Sequence, residues 1–162
     1  LPYLIGERCP HNDPHAQGTL VGFGLHSSRN DILRSVFEGI VFSLKDVFTS
    51  MSSLNLNINQ IRLAGGGAKN PLFQKLHADI FGSKVITLES GEEGGSYGAA
   101  IIAGVGAGIW SSVSDAVAHL EIKTETNPDI RMVEEYAEFF EIYRSLYGVL
   151  KETFWKLSQF QK

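Results

Sequence analysis

IRLAGGGAKNPLFQKLHADIF, at residues 61–81, is the stretch of sequence that predicts the fold. An apolar run that begins at Ile61 indicates a strand, and three consecutive glycines end it. Asn70 and Pro71 predict the start of a helix, because asparagine is a preferred N-cap and proline at the first helical position loses no hydrogen bond. Apolar residues then recur at helical spacing until Gly82, which predicts where the helix stops.

The three glycines between strand and helix are the first candidate for a binding site. Gly65, Gly66 and Gly67 can adopt positive φ and let a ligand approach the backbone closely. A strand, a glycine turn and a capped helix N-terminus are together a common way to hold a nucleotide in α/β proteins. The pattern matches neither G-x-G-x-x-G nor a Walker loop. A tight turn that binds no ligand therefore stays open as an alternative.

Composition limits the classes of function. With 162 residues the chain can form one domain with a proper core, and its net charge of −4 argues against nucleic acid or an anionic membrane surface as partner. Cys9 is the single cysteine, which excludes a disulfide framework and fits a reducing compartment such as the cytoplasm. The longest small-and-apolar run, residues 97–110, is too short to span a bilayer. The chain starts at Leu1 without an initiator methionine, which predicts a part of a larger protein.

Periodicity and capping signals predict the other elements, and their alternation indicates an α/β fold. Residues 19–25 and 84–88 read as further strands, whereas 1–18 and 124–129 read as loop and linker. Four further helices are expected: a long one after the Ser28–Asp31 capping box, one of small residues at 96–108, a short one at 114–120, and a last long one from Val133. The long first helix has an apolar stripe that includes Leu33, Val36 and Leu44. The small residues of 96–108, Gly98 and Gly104 among them, predict close packing against a neighbouring element rather than a ligand contact. Three strands make a small sheet for this length. Either edge strands have been missed, or the sheet continues in residues that the chain lacks.

The sequence contains no evident catalytic constellation. Two pairs of charged residues are candidates for acid–base chemistry: Glu7 with Arg8, and Glu92 with Glu93. Charged side chains that are merely solvated on loops are the simpler interpretation of both pairs. A third group alternates along the first loop without matching a usual zinc pattern: Cys9, His11, Asp13 and His15. The residues alone therefore assign no catalytic group and no metal ligand.

Four segments, taken in order, resemble one family, the FGGY carbohydrate kinases of the actin-like ATPase superfamily. They are LPYLIGERCPHNDP at 1–14, GTLVGFGLHSSRNDILRSVFE at 18–38, LAGGGAKNPLFQ at 63–74 and EEGGSYGAAIIAGVGAG at 92–108. The second is similar to a family signature, with Phe23 where a smaller aliphatic residue is usual, and the third resembles the family's adenosine motif. Within the family, the sequence looks most like the xylulokinases, with the gluconokinases next.

The resemblance implies an actin-like ATPase (ribonuclease H-like) domain without its N-terminal strands. Residues 1–162 would then be part of the C-terminal nucleotide-binding domain, with 131–162 as its closing helix. The implied activity is ATP-dependent phosphorylation of a sugar hydroxyl, with D-xylulose as the implied sugar and D-xylulose 5-phosphate as its product, and with Mg²⁺ held mainly by the phosphates. The implied nucleotide site is Gly65, Gly66, Gly67, Ala68 and Asn70. The catalytic base would belong to a first domain outside this chain.

Other functions remain open at this point. A gluconokinase or another FGGY sugar kinase would carry the same motifs. An actin-like ATPase used for assembly, without sugar chemistry, would carry the same strand–glycine–helix element. A structural α/β module would use the glycines only to turn the chain. The aromatic face of the last helix could pack inside its own domain or meet a second subunit, which leaves a homodimer open.

Overall fold

The computed structural model describes residues 1–51, 59–89 and 94–160, which form two compact units. The first unit is Leu1–Asn57 with Arg131–Lys162, and the second is Ile58–Ile130. The elements in chain order are α1 Arg29–Ser50, β1 Gln60–Leu63, a 3₁₀ turn Gly66–Lys69, α2 Pro71–Phe81, β2 Lys84–Leu88, α3 Gly94–Gly106, α4 Val113–Ala118, β3 Ile122–Thr126 and α5 Ile130–Ser158. This alternation confirms the predicted α/β class. Glu92 and Glu93, with most of the predicted polar connection at 55–60, lie outside the described residues.

The second unit contains a sheet of three strands in the order β1-β2-β3. β1 and β2 are parallel, with Ile61 opposite Val85, and α2 forms the connection between them. β3 runs antiparallel to β2. Helix α2 packs on the sheet. The buried apolar side chains of α2 and β2 are Leu76, Ala78, Ile80, Val85 and Ile86.

Two predictions about strands were wrong. Residues 124–129 read as a linker, but the first half of that segment belongs to β3, which pairs with β2, Thr124 opposite Thr87. Residues 19–25 read as a strand, but they form none: Gly22 has φ +89° and no strand of the described chain pairs with them. The apolar side chains of Val21, Phe23 and Leu25 are more than half exposed, so an alternating apolar pattern arose here without a sheet.

The small residues of α3 give close packing at one position. A Cβ on Gly104 would overlap the indole ring of Trp110, in the turn that follows the helix. The backbone N–H of Ile109 returns to the carbonyl of Gly104 at 2.9 Å and closes that turn. At Gly98, by contrast, a Cβ would meet no heavy atom of the described chain within 4 Å. The predicted packing role therefore holds for Gly104 but not for Gly98.

The first unit contains α1 and α5. Ser28 and Asp31 form the predicted capping box at the start of α1. Phe42 of α1 packs among three aromatic rings of α5, with centroid distances of 5.9, 5.9 and 5.3 Å to Tyr136, Phe140 and Tyr143. The predicted stripe of α1 omitted Phe42, and its members Leu33, Val36 and Leu44 are about half exposed.

Helix α5 begins at Ile130, three residues before the predicted start at Val133. Ile130 is 76% exposed, so the first turn adds nothing to the apolar periodicity from which the start was predicted. Further along, Tyr147 and Phe154 form a core cluster with Tyr3 and Ala16 of the first loop. The aromatic stripe therefore packs largely within its own unit, although Phe160 is 85% exposed.

Candidate functional site

The glycine turn connects β1 to α2, and the structure shows how it is built. Gly65 has φ +79° and ψ −174°, a conformation essentially restricted to glycine. The chain then forms a 3₁₀ turn over Gly66–Lys69, in which Ala68 N–H donates to the Gly65 carbonyl at 3.1 Å. Positive φ was expected to be available to all three glycines, but it occurs only at Gly65. The other two glycines follow the right-handed turn.

The three glycines also differ in what their missing side chains would meet. A Cβ on Gly67 would lie 3.0 Å from Cε1 of Phe73, so this residue faces the body of the unit. A Cβ on Gly65 or Gly66 would meet no heavy atom of the described residues within 4 Å. The first N–H groups of a helical turn point away from it without partners inside the turn. The backbone around Gly65 and Gly66 is therefore the part of the turn that a ligand can approach.

Asn70 combines two potential functions in one side chain. Its Oδ1 accepts the backbone N–H of Leu72 at 2.9 Å, which confirms the predicted N-cap, and Pro71 occupies the first helical turn. The amide group Nδ2 makes no hydrogen bond within the part of the chain that the structure describes. Nδ2 can therefore donate to a ligand while Oδ1 continues to cap α2.

The far end of α2 is held in place separately. Gly82 ends the helix in the left-handed conformation, with φ +65°, as predicted. The carboxylate of Asp79 is buried, and its Oδ1 accepts Lys75 Nζ and the backbone N–H of Asp129, both at 2.8 Å. These contacts connect the helix to the segment that follows β3. They make no contact with the glycine turn.

One residue that sequence reasoning missed lies directly beneath the turn. Gln74 is buried in the first half of α2, and its Nε2 donates to the carbonyl of Ala68 at 2.6 Å. Its Oε1 accepts the hydroxyls of Thr124 and Thr126 at 3.1 and 3.2 Å. The available signals were a polar residue among the apolar positions of α2 and two threonines at period two in residues 122–126.

The start of α3 comes close to the same place. A Cβ on Gly94 would lie 2.7 Å from Cβ of Ala64, the residue that joins β1 to the glycine turn. Only glycine fits this approach without displacing its neighbour. The beginning of the small-residue helix is thus positioned beside the turn.

His77, one turn after Phe73, is a buried histidine of α2. Its Nδ1 lies 2.8 Å from the carbonyl oxygen of Phe73, and its ring stacks with that of Phe81. Burial lowers the pKa of His77, and the hydrogen bond to Phe73 opposes this in part. The neutral imidazole is consistent with the predicted structural role.

The alternating polar residues of the first loop stabilise the loop itself. Glu7 accepts the backbone N–H groups of Cys9 and His11 at 2.6 and 2.8 Å. Asp13 accepts the hydroxyl of Tyr147 at 3.0 Å, and burial together with this bond raises the pKa of Tyr147 to about 12.

Among the described residues, no three His, Cys, Asp or Glu side chains are grouped as a metal site. The described helices include none with the length and apolarity needed to cross a membrane.

A family model for the C-terminal domain of the FGGY carbohydrate kinases matches residues 1–107, which include the glycine turn. The chain belongs to the FGGY family of carbohydrate kinases. The resemblance carried by the four sequence motifs is thereby confirmed. Xylulose kinase of Bacillus subtilis (strain 168) is 34% identical over 162 residues, which cover 99% of this chain and 32% of that relative. The chain thus spans about a third of the length of such a relative.

Solved structures agree on the fold. A ligand-bound xylulose kinase from Lactobacillus acidophilus superposes with a TM-score of 0.87 at 26% identity, covering 97% of this chain and 32% of that one. Gluconate kinase from the same organism has a TM-score of 0.86 at 26% identity and the same coverage. Plasmodium falciparum glycerol kinase with ADP has a TM-score of 0.70 at 23% identity, covering 89% of this chain and 29% of that one, which shows the fold alone. The predicted actin-like ATPase fold is confirmed.

Proposed function

We propose that this chain is part of the C-terminal domain of a cytoplasmic, ATP-dependent sugar kinase and supplies its adenosine-binding site. The observation that carries the proposal is the glycine turn between β1 and α2. Its backbone is open at Gly65 and Gly66, and Asn70 keeps Nδ2 available as a donor while Oδ1 caps the helix. The backbone of Gly67 and the side chain of Ala68 would line the proposed adenosine site beside Gly66.

In the proposed mechanism, this site binds the nucleotide, and the group that acts on the sugar belongs to another domain. Phosphoryl transfer depends mainly on positioning and on stabilisation of charge, with little covalent chemistry by the protein. The residues described here would bind and orient the nucleoside, so that the γ-phosphate reaches the sugar hydroxyl. ATP supplies the phosphoryl group, and Mg²⁺ would be held mainly by the phosphates. The base that accepts the proton of the sugar hydroxyl would come from the preceding domain.

D-xylulose, giving D-xylulose 5-phosphate, is the sugar that we propose. The support is that relatives named xylulose kinase match nearly all of the chain, among them the Bacillus subtilis protein. Gluconate is the second candidate, because the gluconate kinase structure superposes almost as well as the xylulose kinase structure. The two TM-scores do not separate these sugars, so the choice between them needs turnover data.

The experiment is to measure ADP release by the full-length protein that carries this chain. Mg-ATP is supplied with D-xylulose, L-ribulose, gluconate or glycerol in separate reactions, and nucleotide binding is measured in parallel. Turnover with D-xylulose alone is the expected result, and turnover with gluconate alone would replace the sugar but keep the kinase. Binding of nucleotide without turnover on any sugar would favour an actin-like ATPase of another function. Absence of adenine nucleotide binding would overturn the proposal.

A further inference from the structure

Gln74 is the side chain that connects the glycine turn to the sheet. Its Nε2 donates to the Ala68 carbonyl at 2.6 Å, from beneath the turn. Two backbone bonds within the turn also hold it, from Ala68 N–H to Gly65 O and from Asn70 N–H to Gly67 O, both 3.1 Å. Three consecutive glycines lose more conformational entropy on ordering than other residues would. In a turn of this composition, an additional hydrogen bond from Gln74 therefore helps to stabilise the ordered conformation. We call this hydrogen bond the anchor of the turn.

The anchor has a definite direction. The Ala68 carbonyl can only accept, so the nitrogen of the Gln74 amide must face it and the oxygen must face β3. There Oε1 accepts from Thr124 and Thr126. Because the Thr124 hydroxyl has given its hydrogen to Gln74, it accepts from Thr87 at 2.6 Å. One continuous series of hydrogen bonds therefore runs from β2 through β3 and Gln74 to the turn.

We propose that Gln74 is a positioning residue for the adenine nucleotide, acting through the carbonyl of Ala68. This inference rests on the proposed function of the turn. Gln74 would not touch the nucleotide, because its amide is occupied on both sides and the residue is buried beneath the turn. Its effect is to fix the backbone at Gly66 and Gly67 in the geometry that the nucleotide meets, which reduces the ordering cost of binding.

The main test uses two substitutions in the full-length protein. Gln74→Met keeps an unbranched side chain of similar length but cannot form a hydrogen bond. Gln74→Glu can still accept from Thr124 and Thr126, but its carboxylate cannot donate to Ala68. Loss of one buried hydrogen bond is expected to raise the KM for ATP and the Kd for ADP by up to about tenfold. The kcat and the KM for the sugar should remain near the wild-type values, because the lost contact orders the ground state as well as the transition state.

Asp79→Ala is the matched control on the same helix. It removes buried hydrogen bonds to Lys75 and Asp129 and should lower the melting temperature, but these bonds lie away from the turn. A structural role for Gln74 would make the two positions behave alike. The inference requires that nucleotide affinity falls in the Gln74 variants and stays near wild type in Asp79→Ala.

Hydrogen exchange at the backbone amides of Ala68 and Asn70 gives a second readout that needs no nucleotide. Faster exchange in Gln74→Met than in Asp79→Ala supports the inference, and equal exchange overturns it. Wild-type nucleotide affinity in both folded Gln74 variants also overturns it, while leaving the proposed function intact. If the wild-type protein bound no adenine nucleotide, the proposed function and the positioning role would both be overturned, whereas the exchange data would still report whether Gln74 orders the turn.

Discussion

Oδ1 of Asn70 accepts the backbone N–H of Leu72 at 2.9 Å, whereas Nδ2 of the same side chain makes no hydrogen bond within the described residues. Capping and the proposed nucleotide contact would compete for Asn70 if both needed the same atom. The proposed site instead assigns the two purposes to the two ends of one amide. The oxygen contributes to the stability of α2, and the nitrogen is available to a ligand. The two contributions can therefore be separated by substitution.

Asn70→Asp should weaken nucleotide binding without weakening the helix. Aspartate is as good an N-cap as asparagine, and its charge is favourable at a helix N-terminus. It has no N–H to donate, so the Kd for ADP should rise roughly tenfold if Nδ2 contributes one hydrogen bond. Calorimetric titration with ADP and a thermal melt on the same sample measure both quantities.

Asn70→Ala is the comparison for that experiment. It removes the cap and the donor together, so it should lower the free energy of unfolding by about 1 kcal/mol in addition to weakening binding. Equal nucleotide affinity in wild type and Asn70→Asp would show that Nδ2 does not contact the ligand. Equal stability in wild type and Asn70→Ala would contradict the capping role.

Gly66→Val should block the nucleotide while leaving the fold nearly unchanged. A Cβ at Gly66 meets nothing within 4 Å in the described chain, so the stability change should stay within about 0.5 kcal/mol. The added methyl groups fill the space that the nucleotide needs, and the Kd for ADP should rise by at least about tenfold. Gly148→Val, the same change at an unobstructed position of α5, should leave binding unaltered. A folded Gly66→Val protein with wild-type affinity would exclude this backbone from the site.

The features that the sequence predicted well depend on neighbours along the chain. The Asn70 cap, Pro71 in the first turn and the Gly82 stop are local properties, and the structure contains all three. The capping box of α1 is equally local. The proposed site was found from the sequence for the same reason, because a strand, a glycine turn and a helix start follow one another within a few residues.

The features that were missed depend on residues far apart in sequence. Residues 124–129 read as a linker, because TETNPD is almost wholly polar, but 124–126 belong to β3, which forms by pairing with β2. Residues 19–25 show the opposite error. Their apolar pattern predicts a strand, but no strand of the described chain pairs with them, so they form no part of a sheet. Gln74 could not be identified, because Thr124, which binds its amide oxygen, lies 50 positions away.

Gly104→Ala should destabilise the protein, and Gly98→Ala should not. The two glycines lie in α3, but a Cβ at Gly104 would overlap the ring of Trp110, whereas one at Gly98 has open space in the described chain. Overpacking of this kind typically costs about 1–3 kcal/mol. Replacing an unhindered helical glycine by alanine usually adds about 0.5–1 kcal/mol of stability. Urea unfolding of both variants measures the contrast, and equal destabilisation would show that small residues are needed along the whole helix.

His77 should make the protein less stable in acid. Burial lowers the pKa of His77 in the folded state, so the unfolded chain takes up a proton at a higher pH than the folded chain does. The contribution of His77 to the free energy of unfolding is therefore fully present above the ordinary histidine pKa of about 6.5. It is lost as the pH falls below that value towards the folded-state pKa. His77→Leu removes this contribution, so the loss of unfolding free energy between about pH 7.5 and about pH 5 should be smaller than in wild type.

His119→Gln is the matched control for that measurement, because the side chain of His119 is 66% exposed. The free energy of unfolding of wild type, His77→Leu and His119→Gln is measured in paired urea titrations at the two pH values. Carboxylates contribute to the acid response of every variant, so the difference between proteins at the two pH values is the informative quantity. An identical pH response in wild type and His77→Leu would mean that the buried imidazole is protonated as readily in the folded state as in the unfolded chain. The hydrogen bond to the Phe73 carbonyl would then fully offset the cost of burial.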